Sequence, residues 1–401
     1  AIQHAERGFP VTELNASYWK NEEPKLRQTD SAAATFLPNG SAPEVGEVFR
    51  NPDLAWTYRQ IARRGRQGFY QGPVAERILK FSESLGGILT AGDLRKFEAE
   101  WVEPISTTYH GWTVYEIPPN GQGIAALSML NIMEQFPLAK LPPDSPEALH
   151  CMIEAKKLAY ADMLRHVADQ NFNRVPVREM LSKEYAAERA KLIDPDRANC
   201  EVAPTLTFDP GPDTTYLCVV DAEGSMVSLI QSIYYSFGSG LVPDGCGFVL
   251  QNRGGLFSLD PSHPNVLAGR KRPLHTIIPA IMERDHLRIA FGIMGGWNQP
   301  QAHAQFVSKI VDHGQNIQSA LEHPRFTKLT FEGCDVRLES RFPEAARAGL
   351  EQRGHQIQLV HPFAQDVGGG QAVMRNERTG VNFGASDPRK DGAAIPEPLK
   401  K

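Results

Sequence analysis

"DTTYLCVVDAEGSMVSLIQSIY", residues 213–234, has the pattern of a β-hairpin. Two runs rich in β-branched and apolar residues flank Ala222-Glu223-Gly224, a three-residue hairpin loop with glycine where the backbone must turn left-handed. Pairing Asp221 with Ser225 across the loop sets the register and puts Thr214 opposite Ser232. Both runs are apolar on both faces, so the expectation is a sheet covered on each side. Just upstream lies "EVAPTLTFDPGPD" (201–213), a Pro-rich connector without periodicity.

The flanking sequence divides in texture at that connector. Before it, helices dominate. Ser145–Asp169 has a serine cap, Pro146 in the first turn and an apolar stripe of Leu149, Met152, Ile153, Tyr160 and Met163, with Lys156 and Lys157 off the stripe. Further helices fit 53–64 and 182–192, and "TVYEIPPNGQG" (113–123) reads as a strand running into a Pro/Gly loop. After the connector, "GFVLQN" (247–252), "HTIIPAIME" (275–283) and "LRIAFGIMGG" (287–296) read as strands, followed by a helix over 300–314 and an α/β tail.

Composition narrows the function. The 401 residues are 41% apolar, and 42 Lys and Arg against 47 Asp and Glu leave a net charge of −5. That balance gives no reason to expect nucleic acid or an anionic membrane as partner, and no apolar run is long enough to span a bilayer. The five cysteines are scattered and not spaced like metal ligands. Cys151 and Cys218 fall in apolar segments, where buried thiols are expected. A reducing, cytoplasmic setting follows, with a periplasmic one left open. "AIQHAERGFPVTE" (1–13) reads as a helix already under way, which suggests further sequence upstream.

The chemistry centres on Thr214. Threonine and serine are ordinary strand residues, but here a hydroxyl follows an exposed connector, faces a second hydroxyl, and has no rival nucleophile in a G-x-S-x-G elbow. Cleavage of the Asp213–Thr214 bond would give Thr214 a free α-amine, with a reference pKa of about 7.7–8.0. Such an amine can take the proton from its own hydroxyl during attack on a carbonyl. One residue then serves as nucleophile and base.

The segment resembles the autoprocessing site of the γ-glutamyltranspeptidase family of N-terminal nucleophile hydrolases. Further along the chain, "AERGFPVTE" (5–13), "GGILTAGDL" (86–94), "PPNGQG" (118–123), "LAYAD" (158–162), "GRKRPLHTIIPA" (269–280), "GIMGG" (292–296) and "GASDPRKDGAA" (384–394) resemble the same family in order. The resemblance implies an α+β fold, a four-layer αββα sandwich. It also implies cleavage into a large subunit ending at Asp213 and a small subunit Thr214–Lys401, with a dimer of these heterodimers left open. Thr214 would be the nucleophile, Ser232 the hydroxyl that steadies it, and Gly295 and Gly296 the backbone donors of an oxyanion hole. No metal or organic cofactor is implied.

The pattern departs from γ-glutamyl transpeptidases where those bind the substrate's amino-acid end. Tyr234 stands in place of an Asn, Arg253 of a Gln, Leu256 of an Asp, and His275–Thr276 of a Ser-Ser pair. The missing carboxylate would leave a substrate ammonium without its partner, a penalty of several kcal/mol if buried. Arg253, His275 and Thr276 suit a carboxylate instead. The style is similar to the amidohydrolase and acylase branch, with oxamate as the specific expectation for the small-molecule amide substrate. A γ-glutamyl donor and a cephalosporin-acylase-type substrate are the alternatives. The family's upstream carboxylate-binding Arg has no counterpart position in 1–401.

Overall fold

The computed structural model describes residues 1–202 and 213–397, so most of the Pro-rich connector lies outside the described residues. Two compact units account for the chain: Ala1–Trp101 with Ile233–Asn252, and Val102–Ser232 with Arg253–Lys401.

The first unit is helical. Asn51 accepts from the Leu54 N–H and Pro52 occupies the first turn, so Pro52–Arg64 starts where side chain and ring both favour it. Trp19 organises the core. Its ring centroid lies 4.7 Å from that of Phe49, and its Nε1 donates to the Phe36 carbonyl at 2.9 Å. Leu26, Phe36 and Val242 close the same cluster, each worth about 1.5–3 kcal/mol of apolar burial. "GFVLQN" is irregular backbone here and not a strand. Gly245 and Gly247 take left-handed φ values of 66° and 74°. A Cβ on Gly247 would stand 2.2 Å from the Leu54 nitrogen, so the segment bends against the helix start.

The second unit is built on a six-stranded antiparallel sheet in the order Val381–Ser386, Gly370–Asn376, Leu287–Ile293, Ala280–Arg284, Trp112–Glu116, Ile105–Tyr109. Two strands come from before residue 213 and four from after it. "HTIIPAIME" is therefore regular only from Ala280. Alternation along Leu287–Ile293 separates the layers. Phe291 packs at a tilt against His303 and Phe306 of the helix Gln299–Val311, while the next residue, Gly292, meets Tyr216 of the hairpin. Helices Gly123–Met133 and Pro146–His166 complete the helical side.

Two expectations change here. The hairpin Asp213–Val220 and Met226–Tyr234 is covered on one face only: Tyr216 is buried, whereas Leu217, Val219, Val227 and Leu229 are 44–52% exposed. The second unit thus has helix, sheet and hairpin layers, with the hairpin's outer face open. In Pro146–His166, Lys156 and Lys157 lie off the apolar stripe yet do not face solvent. Both are buried, because other elements enclose the helix from Ala148 to Tyr160 on every side. Lys156 Nζ donates to the Thr330 carbonyl at 3.0 Å and lies over the Tyr160 ring. Burial, then neighbouring Lys328, pulls its ammonium well below the ordinary range.

The cysteines also read differently in three dimensions. Cys200 and Cys334 form a disulfide with 5.0 Å between their Cα atoms. Sequence reading missed it because the partners lie 134 residues apart. The bond removes the argument for a reducing setting. Cys151, Cys218 and Cys246 are free.

"GASDPRKDGAA" serves the core. Arg389 is 1% exposed and bonds Glu339 at 2.6 Å, Asp387 at 3.1 Å, and the carbonyls of Leu321 and His323. Asp387 also pairs with buried Arg325 and accepts from the Gly370 N–H. Removing the carboxylate with Asp387→Ala takes the ion-pair partner from buried Arg325, while Arg389 keeps Glu339, so denaturant titration should show a loss of about 3–5 kcal/mol. Burial raises the Glu339 pKa, but its bonds to Arg389 outweigh that and hold it below the usual range. Its stabilisation is therefore present above about pH 4.5 and lost as pH falls further. Glu339→Gln should flatten that acid limb.

Candidate active site

The hairpin turn fixes the register from which the site grows. The Asp221 N–H donates to the Ser225 carbonyl at 3.1 Å, the Ser225 N–H returns to the Asp221 carboxylate at 2.7 Å, and Gly224 has φ 96°. Seven residues back along the first strand, Thr214 Oγ1 donates to Ser232 Oγ at 3.2 Å, as the register requires. Asp213 is the first residue of that strand.

Tyr216 fastens this strand to the sheet. Its hydroxyl is 2.7 Å from Ser228 Oγ, and its ring covers Gly292, where a Cβ would lie 2.4 Å from a ring carbon. The "GIMGG" run thus needs its first glycine to admit the tyrosine. Its last two turn the chain out of the strand: Gly295 has φ 128° and Gly296 φ 55°. Among the described residues, neither N–H donates a backbone hydrogen bond, which leaves two adjacent donors for a ligand. The strand end is itself held. The Ile293 N–H donates to His303 Nε2 at 3.1 Å, so the His303 proton sits on Nδ1, 2.8 Å from Glu116.

Gln122 joins separate parts of the site, and sequence reading passed over it. It is fully buried, and its Nε2 donates to the carbonyls of both Thr276 and Gly296, the latter at 2.7 Å. Its N–H donates to the His275 carbonyl at 3.0 Å, and the His275 N–H to the Asn120 carbonyl at 2.9 Å. A loop from before residue 213 therefore sets the backbone at His275–Thr276 and at Gly296. The available signal was a lone Gln between Gly121 and Gly123 in the "PPNGQG" loop. Asn298 was missed too. It is fully buried beside Gly295, with both amide atoms lacking partners among the described residues.

Arg253 is buried, and its Nη1 donates to Thr276 Oγ1 at 3.1 Å. Burial first, then the Arg253 charge, pulls His275 down to about 4, so its imidazole is neutral at pH 7. The structure therefore brings Arg253, His275 and Thr276 together, and joins them to Gly296 through Gln122. Tyr234 ends the second hairpin strand inside the first unit, buried, with φ 80° and its ring stacked on Tyr235 at 4.5 Å.

Rival chemistries are weak. Burial pushes the Cys218 and Cys246 thiols up to about 11, so neither is a ready thiolate. His150, Glu154 and His355 offer ligand atoms within 4.8 Å of one another. They are already engaged: His150 Nδ1 lies 2.8 Å from His355 Nε2, and Glu154 holds the Lys157 ammonium at 2.6 Å. A divalent ion would sit against that ammonium. The cluster is a hydrogen-bonded network.

A strand-opening threonine backed by a serine, with two glycine donors on the adjoining sheet, fits the N-terminal nucleophile class of amide-cleaving enzymes. The chain belongs to the gamma-glutamyltranspeptidase family, whose model matches residues 1–397. It is 35% identical over 401 residues to the glutathione hydrolase-like YwrD proenzyme of Bacillus subtilis, covering 98% of this chain and 75% of that one. It is 36% identical over 399 residues to the oxamate amidohydrolase proenzyme of Klebsiella pneumoniae, covering 98% and 74%. Among solved structures, cephalosporin acylase from Bacillus halodurans matches with a TM-score of 0.89 at 43% identity, over 98% of this chain and 72% of that one. The protein is thus an α+β amide hydrolase of this family.

Gly292→Ala should displace Tyr216 and with it the strand that opens at Thr214. Processing and amidase activity should both fall at least tenfold, read by gel and by ammonia release. Gly269→Ala, where a Cβ meets nothing within 4 Å, should match the parent in both.

Proposed function

We propose that the chain is a self-processing amidohydrolase in which Thr214, freed by cleavage of the Asp213–Thr214 bond, hydrolyses the amide of a small substrate whose acyl part carries a carboxylate. The observation that carries this is the Thr214 hydroxyl held on Ser232 Oγ at the start of a strand. Residues 1–213 would belong to the large subunit and residues 214–401 to the small subunit.

The steps follow from the groups present. The Thr214 α-amine accepts the hydroxyl proton as Oγ1 bonds to the amide carbon and the carbonyl π pair moves to oxygen. The Gly295 and Gly296 N–H groups receive that oxyanion, a role worth about 2.7–4 kcal/mol per donor where such donors have been removed. The tetrahedral centre collapses, the C–N bond breaks, and ammonia or an amine leaves with the proton held by the α-amine. Water then attacks the acyl ester with the amine again as base, releasing the acid and restoring Thr214.

Specificity rests on charge. Arg253 presents a fork that suits a carboxylate, and neutral His275 and Thr276 add hydrogen-bonding capacity without competing charge. No acidic group stands at Leu256 to receive an α-ammonium, which disfavours a γ-glutamyl donor. We infer oxamate as the substrate, by analogy with the 36% identical oxamate amidohydrolase. The second reading is a cephalosporin-acylase-type amide, favoured by the 43% identity to the solved acylase.

Thr214→Ala should leave the precursor whole and inactive; a cut or active variant overturns the scheme. Activity of the parent should rise with pH through the amine's pKa, about 7.7–8.0 before the site perturbs it, since only the free base accepts the proton. A limb near pH 4 would point to His275 instead. With oxamate, Arg253→Ala should raise KM about 10- to 100-fold and change kcat less, the value of one charged hydrogen bond of about 1.5–3 kcal/mol. Turnover of a γ-glutamyl anilide but not oxamate would replace the substrate assignment.

A further inference from the structure

The Cys200–Cys334 disulfide acquires a role once the position of the proposed cut is considered. Cys200 lies before the Asp213–Thr214 bond and Cys334 after it. We propose that this disulfide is an inter-subunit bond, covalently joining the large and small subunits of the processed enzyme. The inference rests on the reading that Thr214 is freed by cleavage.

The surroundings hold the two cysteines together independently of the bond. The Ala198 N–H donates to the Arg353 carbonyl at 2.7 Å, and Arg353 reaches back to the Pro195 carbonyl at 3.0 Å and to Glu147 at 2.7 Å. The Asn199 carbonyl accepts from Lys157 Nζ at 3.1 Å, and the same Nζ lies 3.6 Å from Cys334 Sγ. The Cys334 carbonyl is fixed by the Gln356 N–H at 2.8 Å. Residues 195–199 are thus held by a helix from before residue 213 and by the C-terminal end of the helix Glu344–Gln352, through bonds that do not involve either sulfur. Cys200 is exposed and Cys334 is buried, so an oxidant reaches the pair through Cys200.

The redox step balances with a disulfide oxidant. A Cys200 thiolate attacks one sulfur of oxidised glutathione, expelling one glutathione thiolate. The Cys334 thiolate then attacks Cys200 Sγ and expels the second. Two protein thiols become one disulfide, and one glutathione disulfide becomes two thiols.

The bond has a consequence that shared packing lacks. Strands from both sides of the cut already interleave in the six-stranded sheet, so the folded subunits need no covalent tie to stay together. Unfolding is another matter. Two untied chains separate on unfolding and must meet again, so refolding depends on concentration, whereas tied chains refold as one molecule.

The test uses the full chain after incubation with oxidised glutathione, blocked with N-ethylmaleimide in denaturant and run on a denaturing gel with and without reductant. One species of full mass that splits on reduction into 1–213 and 214–401 is the expected result. A cross-linked peptide containing Cys200 and Cys334 should appear in the digest. Cys200→Ser should process normally and retain activity, yet run as two fragments without reductant. Its refolding yield should fall on dilution while that of the oxidised parent does not. Two separate fragments from the oxidised parent overturn the inference but leave processing intact. A single chain before and after reduction overturns the processing reading, and the inference with it.

Discussion

The Asp221–Ser225 pairing is the constraint on which the rest of the site depends. Side chains alternate along a strand, so a slip of one residue would turn Thr214 away from Ser232 and Tyr216 away from Gly292 together. The left-handed Gly224 and the Asp221 carboxylate on the Ser225 N–H hold the turn against such a slip. Tyr216 then converts a register within the hairpin into a position on the sheet. Its ring requires a residue without a side chain beneath it, and Gly292 is that residue, three positions before Gly295.

A second constraint runs through Gln122. One buried amide nitrogen donates to both the Thr276 and Gly296 carbonyls. The Gly296 carbonyl shares its peptide plane with the Trp297 N–H, so this bond fixes the peptide by which the chain leaves the Gly-Gly pair. Gln122 comes from before residue 213 while Gly296 and Thr276 come from after it. The site is therefore not the property of either proposed subunit. The proposed cleavage would change the chemistry of Thr214 by freeing an amine and leave the scaffold to contacts that already cross the Asp213–Thr214 position.

How much of this was legible in the sequence depended on how local each determinant is. The hairpin register, the serine cap at Ser145 and the glycine turn at "GIMGG" are set by residues a few positions apart, and reading them needed only period and turn chemistry. What failed was set at a distance. "GFVLQN" has strand composition, but Gly247 pressed against the Leu54 backbone bends it. Lys156 and Lys157 fall off the apolar stripe, and a sequence window cannot show that Thr330, Tyr160 and Glu154 meet them in the interior. The open outer face of the hairpin misled for the opposite reason. Its leucines and valines satisfy the pattern of a covered strand, and burial cannot be read from pattern alone.

The specificity argument ends in charge, and here the neutral residue is as informative as the charged one. Were His275 protonated, two cations would crowd the same corner and a dianionic acyl group would be favoured. Burial and the Arg253 charge instead hold the imidazole neutral down to about pH 4. In the function proposed above, one guanidinium would then face the substrate with hydrogen-bonding neighbours that carry no charge. That set matches a single carboxylate. The Thr276 carbonyl that Gln122 holds is backbone, so a different side chain at position 276 would leave that bond in place.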